Sequence, residues 1–196
     1  MISAVNINGQ SFCVDLDSPN DISIPINFFG PQLNYFNVPK ATANPYNNGY
    51  IVGNTKEGGG CNFDIISFIP HCSTTHTECV GHIVDENIFI NKINLNKLKT
   101  ALLVSIEPEI GIEKSELKPK HYSELDRIIS GTLIKNKIKD YSNSAEVLVV
   151  RTMPNFSKKS IMKYNEDNIP PYFTISAIKQ IIEAGFKHIC IDLPSL

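Results

Sequence analysis

Tryptophan is absent from this chain, a marked excess of charge of either sign is lacking, and no apolar run approaches the ~20 residues that cross a bilayer as a helix. The last absence excludes a helical membrane span. Lysine and arginine number 18 and aspartate and glutamate 20, a formal net charge of −2. So even a balance offers no cationic excess to nucleic acid or to an anionic membrane, and neither is an expected partner. Cysteine is sparse too. Cys13, Cys61, Cys72, Cys79 and Cys190 form an odd set without a CxxC pair. That excludes a disulfide framework and points to a reducing compartment. Residues 1–15 lack a basic stretch followed by an apolar one. No signal peptide is therefore expected, and the cytoplasm is the expected location.

What is present is an ordinary globular composition, 42% hydrophobic and 19% charged over 196 residues. A chain of this size can bury a sizeable core without disulfides or structural metal. No repeat or low-complexity linker interrupts it. The simplest expectation is one domain over residues 1–196, α/β in class, with a β-rich N-terminal half.

Residues 3–7 and 11–16 alternate in polarity around Asn8-Gly9, a strong hairpin signal. Residues 25–48 are rich in proline, asparagine and aromatics. They are expected to be irregular but packed, so that Phe28, Phe29, Tyr35, Phe36 and Tyr46 find cover. Residues 50–52 and 62–68 read as further strands, with the glycine-rich turn Gly58-Gly59-Gly60 between them. That turn lacks a following Lys-Ser/Thr and is no phosphate-binding loop.

The second half alternates strands and helices. Residues 101–106 are a buried-strand candidate and residues 126–129 a short strand. Ser130 is placed to cap a short helix over residues 131–138. Residues 145–152 are apolar on both faces, which predicts a central, covered strand. Thr174 caps a helix over residues 175–184, whose Ile175, Ile178, Ile181 and Ile182 follow the 3.6-residue period, and Gly185 ends it. A buried strand over residues 186–193 comes next, so strand, helix and strand predict a crossover with parallel pairing.

Chemistry concentrates in one run: His71-Cys72-Ser73-Thr74-Thr75-His76-Thr77-Glu78-Cys79-Val80-Gly81-His82. On a helix His76, Glu78 and His82 would spread around the axis. On an extended segment they share parity and project to one side. His71 has the opposite parity and must reach in from a preceding turn, which Ser73–Thr75 can supply. Imidazole and carboxylate together suit Zn²⁺, and Mn²⁺ or Fe²⁺ with more oxygen. A further histidine can move protons near neutral pH. Cys72 and Cys79 are alternatives, either as thiolate ligands of a structural zinc or as inert buried thiols. His121 and His188 read as structural. Lys158, Lys159 and Lys163 read as a solvated face, with a lesser role in steering an anionic substrate. Ser195 lacks the flanking glycines of a nucleophile elbow.

The run resembles the signature of the cyclase family of metal-dependent hydrolases, which includes the bacterial kynurenine formamidases (arylformamidases). It carries His71, then Thr75-His76-Thr77-Glu78, then Glu78-Cys79-Val80-Gly81-His82. The resemblance extends to Asn54-Thr55, Gly58-Gly59-Gly60 and Asn62, to Arg151-Thr152-Met153-Pro154-Asn155, to Pro170-Pro171-Tyr172, and to Ile191-Asp192-Leu193-Pro194-Ser195. It implies a swivelling β/β/α-type fold, often a homo-oligomer. It implies His71, His76 and Glu78 as ligands to a divalent metal, zinc first and manganese or iron next. His82 would be the proton-transfer residue or a ligand to a second metal. In such enzymes a metal-bound hydroxide attacks a small-molecule formamide, amide or ester carbonyl, and N-formylkynurenine is the implied substrate of tryptophan catabolism.

Two departures stand out. Where the branch it resembles has glycines, this chain has Cys72-Ser73-Thr74. In many relatives the first histidine lies four residues before the second, the position of Cys72 here, so Cys72 competes with His71 as first ligand. Relatives also continue past the Asp192-Leu193-Pro194-Ser195 landmark, so a domain lacking their C-terminal part is expected. From these departures comes the alternative of a catalytically inactive homologue that keeps the fold as a binding or interaction module.

Overall fold

A computed structural model describes residues 2–7, 9–93, 98–111, 123–140 and 145–196. In chain order the elements are β1 (Ile2–Ile7), β2 (Gln10–Asp15), β3 (Asn34–Tyr35), β4 (Thr42–Pro45), β5 (Asp64–Ser67) and the single helical turn α1 (Pro70–Ser73). They continue with β6 (Ala101–Ile106), β7 (Glu109–Ile110), β8 (Arg127–Ile129), α2 (Gly131–Ile138), β9 (Val147–Thr152) and β10 (Lys163–Tyr164). Last come β11 (Tyr172–Phe173), α3 (Ile175–Glu183) and β12 (His188–Ile191). The class is mixed α/β. Two compact units interleave along the chain: one takes Met1–Asp21, Cys79–Asn155 and Ile169–Leu196, the other Ile22–Glu78 and Phe156–Asn168.

The first unit holds the parallel sheet β12-β9-β6 and the short sheet β11-β8-β7. β9 is central as expected, and β12 and β6 both run parallel to it. Leu148 and Val150 of β9, Val104 and Ile106 of β6, Ile134 and Ile138 of α2, and Ala177 and Ile181 of α3 form the core. Among the described residues the sheet's close cover, α2 and α3, lies on that face. Leu103 of β6 is 57% exposed and Cys190 of β12 is exposed. The expectation of buried strands here is thus corrected to half-buried ones: alternate side chains point away from α2 and α3.

The helix caps follow the sequence reading. Ser130 Oγ accepts from Leu133 N at 3.3 Å and Thr174 Oγ1 from Ala177 N at 3.2 Å. Gly185 takes φ +86°, the left-handed angle that ends α3. The face of α3 needs correction. Ala177 and Ile181 are buried, whereas Ile175 and Ile182 are 55% and 65% exposed. At 3.6 residues per turn the latter two lie about 100–160° round the axis from Ala177 and Ile181, beyond the partly buried Ile178.

The expected β1–β2 hairpin forms, with Ile7 opposite Gln10 and Gly9 at φ +81°. In the second unit β4 pairs with β5 antiparallel, and β3 with β10 parallel. The stretch expected to be irregular therefore contains two short strands. Residues 50–52 supply only an isolated bridge, Val52 to Asn47. Phe29 and Phe36 are 88% and 68% exposed, against the expectation of packing. Tyr46 does find cover, stacking on Phe63 with ring centroids 5.6 Å apart. Among the described residues no helix is long and apolar enough to cross a membrane. His121 lies outside the described residues.

Candidate metal centre

The approach to the histidine run is a loop closed on itself. Asn62 Oδ1 accepts from Thr55 N at 2.9 Å and Thr55 Oγ1 at 3.1 Å, and Gly59 N donates to Asn54 O at 2.9 Å. A Cβ at Gly59 would stand 2.0 Å from the Val52 carbonyl oxygen, so no larger residue fits without moving backbone. The asparagine and glycine landmarks thus serve loop closure. β5 leaves this loop and leads to α1.

α1 is one turn long. Pro70 opens it, where a missing N–H costs nothing. Thr74 N donates to Pro70 O at 3.2 Å, and Thr74 then takes the extended angles φ −150°, ψ 163°. Cys72 and Ser73 are buried, 8% and 4% exposed. His71 stands outward, its side chain 43% exposed. This is the turn from which His71 was expected to reach in. Among the described non-glycine residues only Phe36 and Asn37 have positive φ. Cys72, Ser73 and Thr74 therefore need none of the left-handed freedom that glycines would bring to this loop.

Three expected ligands of the second unit converge. His71 Nε2 lies 3.2 Å from Glu78 Oε2, and His76 Nε2 lies 3.7 Å from the same oxygen. The two imidazole centroids are 4.6 Å apart. On the far side of its ring, His76 Nδ1 lies 2.9 Å from the Thr74 carbonyl oxygen. A carbonyl only accepts, so Nδ1 carries a proton, and Nε2 is the nitrogen that faces Glu78. Such a hydrogen bond on the outer nitrogen is how metal-binding imidazoles are oriented. Next to His76, Thr75 Oγ1 accepts from Ile24 N at 3.0 Å, tying the run to the start of the unit.

Each histidine–carboxylate pair is spaced as two ligands of one divalent cation would be. Around a tetrahedral ion with bonds of about 2.0–2.2 Å, neighbouring donor atoms stand about 3.3–3.6 Å apart. The two observed separations, 3.2 and 3.7 Å, bracket that span. Two nitrogens and one oxygen suit zinc, manganese or iron. Cys72, the rival first ligand, is buried, and burial pushes its thiol up from the ordinary value. Cys79 Sγ points to the Ile88 carbonyl oxygen at 3.6 Å.

His82 belongs to the first unit. It closes a 3₁₀ turn, Val80–His82, its N–H donating to Cys79 O at 2.9 Å. The extended run expected to include it therefore stops at Cys79. The turn is tight because a Cβ at Gly81 would stand 1.9 Å from the Ile88 carbonyl oxygen.

A family model described as Putative cyclase matches residues 20–196. The chain belongs to the cyclase family. No curated protein and no solved structure matches it significantly. Family membership points to an enzyme, and the later cyclase landmarks have structural partners. The Asp192 carboxylate accepts from Thr152 N at 3.0 and 3.1 Å and from Thr152 Oγ1 at 2.9 Å, joining the end of β9 to the residue after β12. Arg151 donates to Ser105 Oγ at 3.0 and 2.7 Å, bracing β9 against β6. His188 sits half-buried in β12, opposite Val147. Sequence reasoning did not reach the Thr74 carbonyl or the Ile24 N–H. Backbone partners leave no trace in residue type, and Thr75 was the one signal available.

Proposed function

We propose that this protein is a metal-dependent hydrolase of a small amide, formamide or ester carbonyl, built on the family's swivelling β/β/α-type fold. The reading rests on one observation: two imidazole nitrogens face a single carboxylate oxygen at 3.2 and 3.7 Å. His71, His76 and Glu78 would hold the cation, zinc first, manganese or iron next. A bound divalent cation supplies Lewis acidity at the carbonyl and lowers the pKa of water. The chain's residues do the rest. Thr74 fixes the His76 tautomer, and Glu78 offsets part of the cation's charge. His82, four residues beyond Glu78 on its own short turn, carries the proton to the leaving nitrogen or oxygen. N-formylkynurenine, an aryl formamide, is the substrate proposed.

A cytoplasmic homo-oligomer is part of this reading. In support, Ile65, Ile66 and Phe68 on and beside β5 are 57%, 56% and 43% exposed. A two-stranded ribbon with apolar residues on both faces gains from being covered.

The deciding experiment is elemental mass spectrometry on untagged protein beside His76→Ala, followed by turnover of aryl formamides and esters. Near-stoichiometric Zn, Mn or Fe in the parent, lost in the variant, with turnover above the metal-free background, is expected. A protein that takes up no metal from excess ion would overturn the proposal and leave the inactive binding module in its place.

A further inference from the structure

In the second unit, away from the histidines in sequence, a hollow of about 380 Å³ opens beside the β3–β10 pair. That volume falls in the range that small-molecule sites occupy. Its walls are cross-braced by two side-chain amides. Gln32, 7% exposed, donates through Nε2 to Asn27 O at 2.7 Å and Ala41 O at 2.9 Å, and accepts from Ala41 N at 2.9 Å. Asn34 Nδ2 donates to Val38 O at 2.9 Å. Between them Phe36 and Asn37 hold φ of +61° and +54°, left-handed angles that a phenylalanine adopts only when its surroundings impose them. The loop is thus locked at both ends around a strained turn.

The chemistry of the lining is one-sided. Lys40 and Lys163 both line the hollow, Lys163 being the β10 residue opposite Asn34, and no carboxylate lines it. Asn37 adds an amide, and Ile161 an apolar wall. Two ammonium groups without an acid attract a dianion. Lysine binds phosphoryl groups as a point charge, and a phosphate monoester concentrates on one group the double charge that a dicarboxylate spreads over two.

We propose that this hollow binds a small phosphate monoester, its phosphoryl group between Lys40 and Lys163 and its carbon part against Ile161. The proposal does not rest on the metal centre. It is tested by calorimetry on chelator-treated full-length protein at low ionic strength, with phenyl phosphate, inorganic phosphate and succinate as probes. Phenyl phosphate should bind, more tightly than inorganic phosphate and much more tightly than succinate, and added salt should weaken it. The double variant Lys40→Gln/Lys163→Gln should lose tenfold or more in affinity with an unchanged circular dichroism spectrum. His76→Ala should bind as the parent does. No binding at millimolar phenyl phosphate, equal binding of succinate, or unchanged affinity in the double variant would overturn it. Should the double variant misfold, the salt dependence and the single Lys40→Gln variant carry the same test.

Discussion

His76 and Glu78 stand two residues apart in the stretch between Thr74 and Cys79, the spacing that on an extended run puts side chains on one side. His76 Nε2 lies 3.7 Å from Glu78 Oε2. His71 needed a turn, and Pro70 and Thr74 provide it. The two rival first ligands can be separated by mutation. Cys72→Ser should leave metal stoichiometry unchanged while costing about 1–3 kcal/mol in a denaturant titration, because a buried hydroxyl replaces a thiol. His71→Ala should instead lower metal affinity sharply at little cost in stability. Loss of metal in Cys72→Ser alone would hand the role to the thiol. Ser73 Oγ is buried without a hydrogen-bond partner among the described residues. Ser73→Ala is accordingly expected to be neutral or stabilising by about 1 kcal/mol. A clear loss of stability would mean that the hydroxyl has a partner in solution. Thiol labelling offers a third check. Cys13, Cys61 and Cys190 are exposed and should react at once, whereas buried Cys72 should react only on unfolding.

Elements were readable where local chemistry decides them. Thr174, Ser130 and Gly185 marked helix ends because a hydroxyl acceptor and a left-handed angle are properties of single residues. Thr174→Ala should cost about 1 kcal/mol, within a range of 0.5–2, by thermal or chemical denaturation. No measurable change would mean that the cap bond is replaced, for example by water. The buried stripe of α3 was less readable. Four isoleucines satisfy the period, yet two of them face solvent, since the small Ala177 lets the helix approach its neighbours on that side. Glycine positions behave in the same way. Gly81→Ala should disrupt the 3₁₀ turn, since its Cβ would meet the Ile88 carbonyl at 1.9 Å. Lowered stability, together with lower turnover if His82 moves protons, is the expected outcome.

The buried hydrophobic cluster of the described residues lies in the first unit. Leu148 is fully buried in the central strand β9, and Leu148→Ala should cost about 2–5 kcal/mol. A smaller loss in chemical denaturation would show that the core collapses around the gap. The exposed apolar residues of β5 belong to the same scale. Sedimentation equilibrium should find a dimer or higher oligomer, and a monomer at all concentrations would remove that part of the proposed function.

The sequence alone determined the α/β class, the parallel pairing through β9, the helix caps, the cyclase family and the ligand-rich run from His71 to His82. Each is carried by residue type and spacing, which act over a turn or a strand. Only the tertiary structure decided which faces are covered and where the aromatics of residues 25–48 lie. It alone brought His71 and His76 onto one carboxylate oxygen, and it set Lys40 and Lys163 on one hollow. Those depend on contacts between residues far apart in the chain, such as Ile24 with Thr75 and Asn34 with Met162. No local pattern encodes such pairs, because their partners are backbone groups that every residue carries.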